Sequence, residues 1–262
     1  MTGKEWLDPD LRIMFDVVND DTSTPKKKLQ TISGPWSFFR RIRLISGAVI
    51  EDIDYYSRTH EIWNALRSQD NRLDTLTESF GDKYDVQESW EVNQGFNDGF
   101  DTKNAVLFRP LLGLFNQEKL IPLAYLGSGL TIELELVDNK TDPIILHETK
   151  SIDWHLENDC IKADVLTLDS QVSSQYDKLL VEENKDFPIH YTSIISQMQS
   201  IINQTEPMVN VSRSCTRLKS VYITLQKDLL GYLNADTSHG RKTWNTFYSP
   251  ASFQQVDNKE KY

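Results

Sequence analysis

His60-Glu61 is the first pair in this chain that could do chemistry, because an imidazole followed by a carboxylate opens the zinc-binding HExxH helix. The second histidine of that pattern is absent, since Asn64 stands where it would be. With Trp63 beside it, His60 reads as a helix-surface or packing residue. His147 and His155 have no standard ligand spacing. Glu133 and Glu135 share one side of an extended segment, about 7 Å apart along it. A sandwich-fold glycoside hydrolase would need such an acid pair, but paired acids are also the ordinary way of keeping a β face wet. Trp36, Trp63, Trp90 and Trp154 could stack on sugars, and a lectin would use exposed Trp90 or Trp154 with nearby acids. Core and contact roles are commoner for scattered aromatics. Gly127-Ser128-Gly129 lacks the G-x-S-x-G of a nucleophile elbow and reads as a turn. Neither a G-x-x-x-x-G-K-[ST] nor a G-x-G-x-x-G phosphate loop occurs. No catalytic, metal-ligating or cofactor-binding residue is assigned, and no enzyme activity or cofactor is expected.

The formal net charge of -11 argues against a general nucleic-acid binder, which needs an excess of Lys and Arg to neutralise phosphates. A local basic run, Phe39-Arg40-Arg41-Ile42-Arg43, fits a solvated strand face. The two cysteines, Cys160 and Cys215, are too few for a disulfide scaffold and read as buried thiols from a reducing compartment. The N-terminal residues lack a basic region followed by an apolar core, and no apolar run reaches the roughly twenty residues of a membrane span. The expectation is an unsecreted chain without membrane insertion. Sequons at Asn139, Asn203 and Asn210 then read as chance.

The elements that must position these residues are mostly strands. Leu130, Ile132, Leu134 and Leu136 alternate with Thr131, Glu133 and Glu135, the pattern of a half-buried strand with one wet face. Pro122 and the turn at 127–129 cut the preceding apolar residues into short pieces. Residues 11–18 read as a first strand, 19–28 as a polar loop, and 36–50 as a hairpin bent near Ser46-Gly47. Tyr55, Thr59, Ile62, Trp63 and Leu66 then fall at i, i+4, i+7, i+8 and i+11, predicting a helix capped by Asp54. A second short helix is read at 73–80 and an exposed excursion at 82–102. The run 138–142 before Pro143 is the clearest break, so the division is 1–142 and 143–262. Beyond it, strands are read at 151–156, 161–168, 189–202 and 214–225, with a helix at 170–182 turning Val172, Tyr176, Leu179 and Leu180 inward.

Several of these segments, in this order, resemble the double jelly-roll major capsid proteins of nucleocytoplasmic large DNA viruses and their polinton-like relatives. Residues 38–66 are similar to that family's strand, G-x-x-[IV]-[ED] turn and following helix, on Arg43, Gly47, Ile50, Glu51, Glu61, Ile62, Trp63, Asn64 and Leu66. Residues 108–137 resemble the closing strands of its first jelly roll, through Ile121-Pro122-Leu123 and the alternating strand at 130–136. Residues 161–182 look like the entry into its second jelly roll, with Leu168-Asp169 before a helix, and 217–226 like a strand downstream.

The resemblance implies a mainly β chain of two jelly-roll β-sandwich domains, with short helices in the excursions between strands. The first jelly roll (1–142) would lack its N-terminal part, and the second (143–262) would be incomplete. It further implies a structural protein, a capsid subunit that self-associates as a homotrimer into pseudo-hexagonal capsomers of an icosahedral virion. Neighbouring capsomers and minor or penton capsid proteins would be its partners, with assembly in host cytoplasm or nucleus and no specific nucleic acid. A jelly-roll lectin and a sandwich-fold glycoside hydrolase remain the alternatives.

Overall fold

The computed structural model describes residues 5–29, 31, 34–67, 103–144, 151–199, 206, 208–211 and 217–223. The expected helix at 73–80, the excursion at 82–102, Trp90, His147 and Cys215 lie outside these residues. The described chain is mainly β, of a β-sandwich-like class, with small antiparallel sheets and few helices.

Its strands are β1 (Glu5–Leu7), β2 (Arg12–Asn19), β3 (Phe39–Ser46), β4 (Ala48–Ile53), β5 (Lys103–Phe108), β6 (Ile121–Pro122), β7 (Thr131–Leu136), β8 (Trp154–Lys162) and β9 (Val165–Thr167). They form three sheets of three strands, ordered β6-β1-β9, β5-β2-β8 and β4-β3-β7. Helix α1 (Tyr56–Ala65) follows β4, and α2 (Ser170–Asp177) runs into a π turn at Lys178–Glu182.

Alternation along each strand decides what the sheets enclose. Ile13, Phe15 and Val17 of β2 point inward, as do Val106 and Phe108 of β5 and Ile42 and Leu44 of β3. Phe15 sits among Phe38, Phe39 and Phe108 with edge-to-face ring contacts at centroid distances of 6.2, 5.5 and 6.2 Å. Burial of each such side chain contributes roughly 1.5–3 kcal/mol. Gly47, at φ 69°, makes the β3–β4 hairpin turn, where a left-handed backbone is cheap only for glycine.

The structure departs from the sequence expectations in particular places. Helix α1 begins after Tyr55, which is left-handed at φ 49°, and the Asp54 carboxylate accepts the Tyr55 N–H, so Asp54 is not the N-cap. The helix buries Tyr56, Glu61 and Asn64 and leaves Leu66 57% exposed, because its polar side chains find partners inside. Strand β8 runs through 157–160 without the expected interruption. Asn158, left-handed at φ 58°, falls where the register with β2 shifts, and its amide donates to Asp16. In α2 the buried residue is Ser173, and Val172 is exposed. Neither 189–199 nor 217–223 forms a strand.

The polar break at 138–142 is crossed by strand pairing. β8, beyond it, pairs with β2 from Arg12↔Lys162 to Asn19↔Trp154, and Trp154 is buried against Phe38.

Candidate functional site

The sheet β4-β3-β7 carries the basic run and the acid pair on its outer face and a buried carboxylate on its inner one. On its outer face, the basic run of β3 meets acids from both neighbours. Register places Arg41 opposite Glu135, and Arg43 opposite Glu133 and Asp52. Arg41 donates two hydrogen bonds to Asp52, at 2.7 and 2.6 Å, and its guanidinium pKa is pushed up by them. Arg43 donates to Glu133. Arg40 lies 3.3 Å from Glu135 and 3.1 Å from Asp138. The basic patch is therefore matched by carboxylates along its length.

Glu133 and Glu135, the pair considered for glycoside hydrolysis, sit on the same side of one strand and are held in ion pairs with arginines. Glycoside hydrolysis requires two carboxyls that flank the scissile bond. These two stand on one strand and form part of a cross-strand ladder.

The inner face holds a carboxylate that alternation does not reveal. Counting by two from Val49 groups Val49, Glu51 and Ile53, yet Val49 is exposed while Glu51 and Ile53 are buried. A bulge explains the change: Leu44 faces Glu51 but Ile45 faces Val49, which turns the strand over at Ile50. Glu51 thus joins Leu44 inside, 3% exposed. Its oxygens accept the backbone N–H groups of Gly113 and Leu114, each at 2.8 Å. Burial raises its pKa above the usual carboxylate range, against the opposing pull of those bonds.

The same buried layer continues through α1. Glu61 accepts the Trp36 indole N–H at 2.9 Å, and His60 stacks on the Trp36 ring at a centroid distance of 4.0 Å. His60 Nε2 donates to the Arg109 carbonyl at 3.2 Å, which fixes the tautomer. Burial lowers the His60 pKa to about 4, so this imidazole is neutral. Tyr56 accepts the Leu111 N–H at 2.9 Å, and the Arg109 guanidinium donates to the Phe115 carbonyl at 2.5 Å. Glu51, Tyr56 and Arg109 together hold the 111–115 turn from three sides. A Cβ on Gly113 would collide with the carbonyl of Thr192, so residues 191–192 lie directly over that turn.

The remaining expected residues are scattered. Trp36 and Trp154 are buried, and the Trp154 indole donates to the Lys140 carbonyl at 2.8 Å, so neither offers a face to a sugar. Trp63 packs edge-on against Tyr222 at 4.6 Å. His155 lies on the surface, 2.8 Å from Asp20 and 3.7 Å from Glu157, and its pKa is raised chiefly by the Asp20 hydrogen bond. Cys160 is a half-buried free thiol on β8. Gly127-Ser128 forms a turn, with Gly129 left-handed at φ 66°. Among the described residues no group of three or more His, Cys, Asp or Glu is placed to hold a metal ion, and no helix is long and apolar enough to cross a membrane.

Comparison with protein-family models, with curated proteins and with solved structures returns no match.

Proposed function

We propose that this chain is a structural protein, a capsid subunit of an icosahedral double-stranded DNA virus or integrated viral element, built on the double jelly-roll plan. The observation that carries the reading is what the residues behind the resemblance do. Gly47 turns the β3–β4 hairpin, Glu51 clamps the 111–115 turn, Glu61 anchors Trp36, and Asn64 is buried. The chemically capable side chains of that motif are spent on holding a wall together.

Exposed apolar side chains add support. Met208, Leu218 and Ile223 are 75%, 68% and 84% exposed, apolar side chains that contacts with neighbouring subunits would cover. The division at 142/143 belongs to this proposal, and under it β8 joins the second jelly roll to the first by pairing with β2. The partners are further copies of the chain, with the virion as location.

Light scattering on the purified chain tests the proposal, with a trimer expected and hexagonal capsomers in negative-stain images. A monomer that persists at high concentration and binds glycans would overturn it in favour of a lectin.

A further inference from the structure

Residues 217–223 have the composition of a strand but belong to no sheet. Two ties hold them to their own chain: Tyr222 packs edge-on against Trp63 at 4.6 Å, and Lys219 Nζ donates to Thr192 Oγ1 at 2.5 Å. Leu218, Val221 and Ile223 remain exposed, so the apolar side chains of the segment are uncovered where it lies. Its two cations, Arg217 and Lys219, meet no carboxylate among the described residues. A chain rich in acids thus presents here a stretch that carries positive charge alone.

The opposite character gathers at the edge of the sheet β6-β1-β9. Strand β9 pairs with β1 and, among the described residues, with nothing on its other side. All three of its residues are exposed. Leu166 stands directly opposite Trp6 and shares its face of the sheet. Trp6 touches Tyr125, Tyr176 and Phe187 there, at ring-centroid distances of 6.2, 5.0 and 5.8 Å. Val172 lies one turn before Tyr176 on α2. Trp6 is buried, but Tyr125, Leu166, Val172 and Phe187 are exposed, which leaves an apolar patch beside the free edge. The uncompensated charges around it are acidic. Lys178 and Lys185 are paired with Glu182 and Glu183. Asp164, Asp177 and Asp186 pair with no cation among the described residues, and Asp177 accepts the Tyr125 hydroxyl at 2.7 Å.

We propose that residues 217–223 of one copy dock along β9 and its aromatic patch on a second copy, joining like chains head to tail. This rests on the reading that further copies of the chain are its partners. An unpaired strand edge accepts a strand-forming segment through backbone hydrogen bonds. Leu218, Val221 and Ile223 meet the exposed rings, and Arg217 and Lys219 meet the free acids. The segment does not serve its own β9, since Trp63 and Thr192 hold it while its apolar side chains stay in water. A net charge of -11 makes copies repel on average, so they meet best where a cationic stretch faces an acidic one. The two surfaces differ, which makes the contact heterologous, and such contacts close into rings when the rotation allows. A ring of three is the trimer of the capsid reading.

Sedimentation velocity on the full chain over a concentration series tests the docking. Arg217→Glu with Lys219→Glu is expected to weaken association about tenfold or more, and Asp164→Lys with Asp186→Lys to do the same. The second pair makes the chain less negative, so a general easing of repulsion predicts the opposite. All four side chains are exposed, and circular dichroism checks that each variant is folded. A chain carrying all four reversals should associate about as the unaltered one does, because its charges match again. Undiminished association in either pair overturns the proposal, as does a four-reversal chain that stays weak. A trimer indifferent to the reversals overturns the docking and leaves the capsid reading standing. Association of another order that obeys them upholds the docking and overturns the capsid trimer, and an unaltered chain that stays monomeric overturns both.

Discussion

The two faces of the sheet β4-β3-β7 put the same functional group in opposite settings. Outside, Glu133 and Asp52 meet arginines across the strands in partial contact with water. Inside, Glu51 meets only backbone N–H groups, away from water. The outer acids are cheap to place and cheap to lose, because solvent screens the pair and replaces either partner. The inner acid is costly to place, and its removal strands two buried donors at once. A sequence rich in carboxylates thus has few whose loss would be felt, and burial decides which.

The most direct way to break this contrast is Glu51→Ala, which should destabilise the fold by about 2–4 kcal/mol in urea unfolding, through two orphaned N–H groups and a cavity. A loss no greater than that of Glu133→Ala would erase the distinction between the faces. Gly113→Ala probes the same clamp from above. The new methyl must push the Thr192 carbonyl off the turn, and a loss of about 1–3 kcal/mol is expected by the same measurement. Exchange protection should fall at 189–196 before it falls in β2.

Trp36→Phe extends the comparison to Glu61, whose partner is an indole in place of the backbone. It keeps most of the apolar ring but removes the N–H that Glu61 accepts, for an expected cost of about 1–2 kcal/mol. On the outer face, a double-mutant cycle on Arg43 and Glu133 should give a coupling of about 0.2–1 kcal/mol that shrinks with added salt. A coupling as large as the Glu51 effect would show that the outer ladder is more than a wet wall.

Alternation made one face of the sheet legible in the sequence and hid the other. β7 reads directly through Leu134, since Ile132 and Leu134 pack inward while Glu133 and Glu135 do not, but Leu136, expected on the same face, is 49% exposed at the strand's end. The hairpin at Gly47 also reads directly, because glycine marks the turn. Glu51 did not, because the bulge at Ile50 reverses which residues face in, and nothing in the side chains announces it. Helix α1 was legible as a helix, but its inward face was misjudged. Apolar spacing cannot anticipate that Glu61 is buried against the Trp36 indole, or that Asn64 beside it is buried too. The strands expected at 189–202 and 214–225 had the right composition, yet their described residues carry apolar side chains without a sheet to join.

The smallest effect concerns a surface charge that responds to pH in the same direction as Glu51, and so must be separated from it. His155 is half exposed, with its pKa raised by the Asp20 hydrogen bond, then by the charges of Asp20 and Glu157. A histidine bound more tightly to its proton when folded stabilises the fold below its unfolded value, roughly pH 6.5, and that contribution disappears as pH rises through the folded value. Comparing the unaltered chain with His155→Gln cancels whatever Glu51 contributes to both. The expected result is a slightly lower unfolding midpoint for His155→Gln at pH 5.5, with the difference shrinking as pH rises toward 8. Solvent screening keeps it small, as for other outer-face pairs. A midpoint difference that grows with pH would reverse the sign and show that Asp20 and Glu157 do not hold the protonated ring.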